Sequence, residues 1–366
     1  MPVNNNKTLF IVAGSFIDGL GGAVRRNIAL TIREGIITAI APAAELPCRD
    51  QAIITDLSHC TLLPALADCS LSLARSPSVD KRAAPAQATL IKRHIHYCQI
   101  HGVLGVADGG APAGRVEAAP GELVEIRAAG ADFLKIAGSA DIEEENAFSP
   151  RLTRAELDRL LQQRGDRKAV VVANGRPAVA EALAAGCDAI EQGYGMGEDN
   201  LRRMAAAGVL WIPGLLRAKN ALDAARGGGD VCCRFSQRYV APGKPLPGAE
   251  ALWRQTLAAQ LAQLRLAKKL GVNTAVGTGA GSMGIIHGEA VAEEIKLFIK
   301  AGYTLTEAIG CASTSGAAFF GLQRPGPLTV GRPATFLMTR GTPQQLPRKL
   351  SYLEGLYIDG APSASL

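Results

Sequence analysis

A chain of 366 residues with 48% hydrophobic content can bury a sizeable core, as one large domain or a large one with a small companion. Its net charge of +6 is scattered over short pairs such as Arg25 with Arg26 and Lys268 with Lys269, never interleaved with aromatics, which argues against a nucleic-acid partner. No apolar run reaches the roughly 18 residues of a membrane span, "MPVNNNKTLF" lacks an apolar leader stretch, and the eight cysteines form no Cys-x-x-Cys. A reduced cytoplasmic protein without a membrane partner is therefore expected.

In chain order, the first sixty residues read as strands. "TLFIVAGSFID" and "IALTIREGIITAIAP" are β-branched runs, with "REG" as a hairpin turn. The last forty, "PLTVGRPATFLMTRG" and "YLEGLYIDGAP", return to that character, so both termini are expected to build one small β-domain, 1–58 plus 325–366.

Between them, strand candidates recur at Val103–Ala107, Phe133–Ile136, Ala169–Ala173, Ala189–Glu191, Val209–Pro213 and Val272–Gly277. Helical patterns separate them. "TRAELDRLLQQRG" pairs Thr153 with Glu156 as a capping box, "RPAVAEALAAG" has Pro177 in its first turn and Gly186 as a stop, and "TLTEAIGCA" pairs Thr304 with Glu307. "GEAVAEEIKLFIKAG" sets Val291, Ile295, Phe298 and Ile299 on one stripe. Alternation over about 260 residues predicts a (β/α)8 barrel at 59–324, with an open doubly wound sheet as the alternative. Only about 26 residues separate the second strand from Lys135, so "ELVEIRAAG" must supply the third strand.

The strand-end segments, taken with the divided β-domain, resemble the metal-dependent amidohydrolase superfamily, in particular its imidazolonepropionase and Xaa-Pro dipeptidase-like branch. The likeness runs through "HGVLGVADGG", "ADFLKIAG", "AGCDAIEQGYGMG", "AVGTGAGSMGIIHGEAVAEEI" and "GRPATFLM", in that order and over nearly the whole chain. It implies a TIM-like barrel with a composite β-sandwich domain, and hydrolysis of amide or other C–N bonds. The family's cofactor is one or two Zn or similar divalent ions, which lower the pKa of a bound water and polarise the scissile carbonyl.

Carried over position by position, that resemblance exposes a conflict. The family's His-x-His pair corresponds to Ser70 and Ser72 in "LLPALADCSLSLA", and its bridging lysine to Lys135. Its fifth-strand histidine corresponds to Val172, its sixth-strand histidine to Gln192, and its aspartate to Gly279. Asn174 stands where the family often has His-Ala-Asn-Gly. Hydroxyls, an amide, a valine and a glycine are poor donors for a divalent ion. The resemblance therefore implies the fold without the family's metal chemistry, and no resident cofactor is expected.

Other candidates are open alongside bland readings. His94, His96 and His101 lie in "KRHIHYCQIHG", where only His94 and Cys98, four apart, share a helix face; ordinary helix-surface residues explain the segment. Cys69 adjoins the altered pair but has no basic partner fixed by sequence. His287 in "GSMGIIHGE" is expected at the pocket mouth. Lys135 can be an amine nucleophile or an inherited lysine paired with a carboxylate. "GTGAGSMG" can be an anion nest or inherited loop geometry. The Gly- and Pro-bearing stretch after strand seven can be a lid or a plain connector.

Three functions follow: a non-hydrolytic barrel that binds a small molecule or partners an active homologue or a second copy, a hydrolase using metal-free or relocated-metal chemistry at His287, Cys69 or the His94 region, or lysine chemistry at Lys135.

Overall fold

The computed structural model describes residues 8–46, 53–77, 86–110, 123–140, 142, 148–226, 247–282 and 284–363. The N-terminal strands β1 (Leu9–Phe16), β2 (Arg25–Arg33), β3 (Ile36–Pro42) and β4 (Ile53–Pro64) come first. β2 and β3 form a hairpin whose two turn residues, Glu34 and Gly35, both have positive φ (51° and 78°), the backbone twist that a two-residue β-turn requires. β4 stays in this sheet through Pro64, past residue 58, and one residue later the chain enters the barrel as β5 (Leu66–Leu71).

The barrel continues with α1 (Gln87–Ile100), β6 (Val103–Asp108), β7 (Glu125–Ala128), β8 (Phe133–Ala137), α2 (Arg154–Gln162) and β9 (Lys168–Ala173). Next come α3 (Arg176–Ala184), β10 (Ala189–Gln192), α4 (Glu198–Ala207), β11 (Leu210–Ile212) and α5 (Leu215–Ala225). Four helices follow: α6 (Ala249–Leu270), α7 (Glu289–Lys300), α8 (Leu305–Cys311) and α9 (Thr314–Phe320). The strands of the barrel pair in parallel, as alternation with helices demands.

The third strand is present as β7, four residues long and joined to β8 by a bridge between Ala129 and Phe133. The eighth place is filled by 272–277, without a regular strand. Ala275 N donates to Trp211 O (3.0 Å) and Cys69 N to Val276 O (2.9 Å), so this segment links the seventh strand to the first and closes the ring. Both Thr-x-x-Glu capping boxes form, Thr153 with Glu156 and Thr304 with Glu307.

The chain then returns to the first domain as β12 (Phe336–Arg340), β13 (Gly355–Ile358) and β14 (Ala361–Pro362). The hydrogen-bonded order β14-β13-β12-β4-β1-β2-β3 interleaves both termini in one β-sandwich domain. Its core is its own: Ile11, Phe16, Leu30, Leu62 and Phe336 are buried together, with the Phe336 and Tyr357 rings stacked 4.7 Å apart. The architecture is a (β/α)8 barrel with a composite β-sandwich domain, and no described helix is long and apolar enough to cross a membrane.

Candidate active site

A cavity of about 500 Å³ opens at the C-terminal ends of the barrel strands, where the loops into the helices meet. Ser70, Ser72, Lys135, Val172, Gln192 and Gly279 all line it. Residues spread over more than 200 positions of sequence thus converge on one site.

The end of the first strand delivers Ser70, Leu71 and Ser72 together to the cavity, its pairing with β6 being irregular between Asp68 and Leu71. Ser70 and Ser72 face the cavity, whereas Cys69 points out against Gly316, where an added Cβ would lie 2.1 Å from its sulfur. Burial holds the Cys69 thiol well above its ordinary pKa, so it is neither a thiolate nor a part of the cavity.

Lys135 Nζ lies 2.7 Å from Glu191 Oε2, and Ser70 Oγ donates to Glu191 Oε1 at 2.7 Å. The carboxylate thus bridges an ammonium and a hydroxyl, which makes Lys135 the carboxylate-paired lysine rather than an isolated amine. Room for the lysine depends on Gly109, because a Cβ there would stand 2.4 Å from Lys135 Nζ. Glu191 was not singled out by sequence reasoning. Strand alternation sends it to the face opposite Gln192, but Gln192 ends the strand at φ 71°, and that left-handed twist brings both residues to the cavity.

Gln192 turns its amide oxygen away from the cavity, accepting from Asn174 Nδ2 at 2.7 Å and Ile142 N at 3.3 Å. Asn174 is buried behind this wall, where its Oδ1 accepts from Tyr194 N at 3.0 Å; it supports the cavity without lining it.

His287 departs from expectation. It is fully buried and does not line the cavity. Its ring stacks on that of His94, centroids 3.7 Å apart, with His287 Nε2 on Ser72 O (2.9 Å) and His94 Nδ1 on Leu73 O (2.7 Å). The pair clamps the backbone behind the first strand. Burial lowers the His287 pKa to about 3, with His94 adding to the effect, and burial also lowers that of His94, so both rings are neutral at pH 7. His94 is therefore not a helix-surface residue. It shares the buried face of α1 with Leu90, Ile95 and Cys98, a spacing of four that was readable in the sequence.

Two buried carboxylates brace the wall from behind. Asp68 Oδ2 accepts from Thr278 Oγ1 at 2.6 Å and its Oδ1 from Thr278 N at 2.9 Å, tying the end of β5 to the loop after the eighth place. Burial raises its pKa to about 6 against those hydrogen bonds. Glu294 on α7 accepts from Leu215 N (2.8 Å) and Leu216 N (2.7 Å), capping α5 from outside. Its burial raises the carboxyl to about 8. That cap positions Arg217, one residue on, which lines the cavity together with Arg75 and Arg151.

The chemistry of this donor set does not suit a divalent-metal centre. At the positions that would ligate stand two serines, a valine, an amide whose oxygen faces away, and a glycine, and Lys135 is already ion-paired. Among the described residues no group of three or more His, Cys, Asp and Glu is arranged to hold a metal ion. The stacked His94 and His287 rings each spend one nitrogen on a backbone carbonyl, and neither reaches the cavity. The central part of the lid-or-connector stretch, 227–246, lies outside the described residues; α5 and α6 flank it.

A model of the amidohydrolase family matches residues 31–360. No curated protein matches the chain. Among solved structures it is similar to a Xaa-Pro dipeptidase with bound methionine in the active site (20% identity, TM-score 0.80, covering 98% of this chain and 100% of that one). It is also similar to A. niger ochratoxinase (17%, 0.72, 98% and 96%) and phenylurea hydrolase B (14%, 0.72, 98% and 97%). At such identities these likenesses establish the fold.

Proposed function

The chain belongs to the amidohydrolase family, and from that premise we propose that it keeps the family's barrel and pocket as a small-molecule binding site without metal-dependent hydrolysis. One observation carries this reading. The positions that would hold and use a metal are gathered around one cavity, yet they present Ser70, Ser72, Val172, Gln192 and Gly279, and the sixth, Lys135, neutralises Glu191. The pocket's volume suits a small organic ligand, and its polar frame is preorganised by Asp68, Asn174 and Glu294.

Plasma mass spectrometry on protein purified without chelator, and again after incubation with Zn and Mn, tests the reading. Less than about 0.1 metal per chain is expected, since a built multi-ligand site retains its ion through purification. Near-stoichiometric metal overturns it.

A second reading rests on the 2.7 Å contact from Ser70 Oγ to Glu191 Oε1. In it Ser70 Oγ attacks an amide carbonyl, its proton passes through Glu191 to the departing amine, and water later releases the acyl group. Lys135 competes for the same carboxylate and weakens it as a base. Metal-independent hydrolysis abolished by Ser70→Ala would establish this reading in place of simple binding.

A further inference from the structure

The cavity departs from a metal site not only in its missing ligands but in the sign of its charge. Arg75, Lys135, Arg151 and Arg217 line it, and Glu191 is the one carboxylate among the described lining residues. That carboxylate is already engaged by Lys135 and Ser70.

Gly279 stands where the family's aspartate falls. A Cβ built there lies 3.1 Å from Arg217 Cδ and 3.5 Å from its Nη1, and φ is +71°. A side chain at this position would therefore press on the stem of Arg217, in a backbone conformation that strains most other residues. Arg217 is only 8% exposed, and its place is set by the Glu294 cap on α5. Gly279 N in turn donates to Ser70 O at 2.7 Å, tying the glycine that Arg217 packs on to the end of the first strand. Ser72 Oγ, on a side chain 7% exposed that lines the same cavity, has no hydrogen-bond partner among the described residues.

We propose that this pocket takes a small oxyanion-bearing molecule, a carboxylate or a phosphate. Its anionic group sits against Arg217 and the Ser72 hydroxyl, on the floor where a metal cation would otherwise be held. This rests on the binding reading above and gives its ligand a class. Guanidinium supplies a planar fork of donors to an oxyanion, and the hydroxyl adds one more. Arg75 and Arg151, both exposed at the rim, add attraction that salt screens. The apolar stretches of wall, from Leu71, Ala137 and Val172, accept a short carbon skeleton.

The test is calorimetric titration of the full chain with succinate, inorganic phosphate and the neutral match succinamide. Succinate or phosphate is expected to bind in the millimolar range or tighter, with succinamide weaker by about tenfold or more. Whichever of the two binds tighter identifies the oxyanion. Arg217→Gln weakens the anion by about tenfold or more, and Arg217→Lys less. Arg75→Gln, at an exposed position that leaves the fold intact, weakens it a few-fold at low salt and less at high salt. Circular dichroism melts show that each variant is folded.

Succinamide binding as well as succinate, or an Arg217→Gln affinity equal to wild type, overturns the charge preference while leaving the pocket-binding reading standing. Binding by none of the three overturns the proposal. Stoichiometric metal in the same preparation removes the binding reading itself.

Discussion

Two sets of polar side chains stand close together at the strand ends, and they differ in what they bond to. On the cavity side, Glu191 takes both Lys135 and Ser70, and Ser72, which lines the same cavity, keeps a buried hydroxyl with no partner among the described residues. Behind the wall, Asp68, Glu294, His94 and His287 direct their hydrogen bonds chiefly at backbone: Thr278 N, Leu215 N, Leu216 N, Leu73 O and Ser72 O. The second set is the frame and the first its contents. A buried polar group that satisfies backbone holds geometry, and its loss is read in stability. A polar group facing a cavity is read mainly in ligand.

Breaking the frame is expected to have the largest effect. Glu294→Ala strands two buried amides at the start of α5 and should cost about 3 kcal/mol, with Glu294→Gln nearer 1 kcal/mol because one acceptor remains. Urea unfolding measures both. A loss below a few tenths of a kcal/mol for Glu294→Ala would show that the cap is dispensable.

Acid should expose the histidine clamp next. The folded pKa of His287, about 3, lies below the ordinary 6.5, so below pH 6.5 the unfolded chain takes up a proton that the folded chain refuses. Its contribution to stability is intact above 6.5 and declines as pH falls towards 3, reaching a loss of about 2 kcal/mol at pH 5. Asp68, between its ordinary 3.8 and about 6, and Glu294, between its ordinary 4.5 and about 8, slope the other way, because there the folded state holds the extra proton. The clean readout is therefore wild type against His287→Asn, compared at pH 7.5 and pH 5. Relative to wild type the variant should be about 2 kcal/mol better off at pH 5 than at pH 7.5, and a wild-type-to-variant difference that does not change with pH would free His287 of the role.

Within the cavity the effects are smaller. Lys135→Met leaves the Glu191 carboxylate, 7% exposed, without its cation and should cost about 2 kcal/mol, whereas Ser70→Ala removes one neutral donor and should cost about 1 kcal/mol. Lys135→Met combined with Glu191→Leu should be milder than Lys135→Met alone, because no charge is then left unpaired. Thermal and urea melts of the three variants decide the order.

Much of the fold was legible in the sequence because local signals and long-range demands agree. Thr153 with Glu156 and Thr304 with Glu307 announced helix starts, and the Glu34-Gly35 turn announced a hairpin. The candidate site was legible at the six positions that the family resemblance numbers, all of which do meet at the cavity.

What was not legible depended on packing between distant elements. Glu191 reaches the cavity with the turn of Gln192 to positive φ, and His287, in the loop before α7, lies away from it, stacked on the ring of His94 from α1. Arg217 becomes part of the floor through a carboxylate on α7, some 77 residues away in sequence. Periodicity, caps and turn residues are short-range constraints, so the chain itself determined the barrel, the divided β-domain and the strand ends that face the lumen. Which polar groups became frame and which became contents depended on burial and on partners brought in from other strands and helices. Those are properties of the packed molecule, since desolvation and hydrogen-bond satisfaction take their values only once the elements have met.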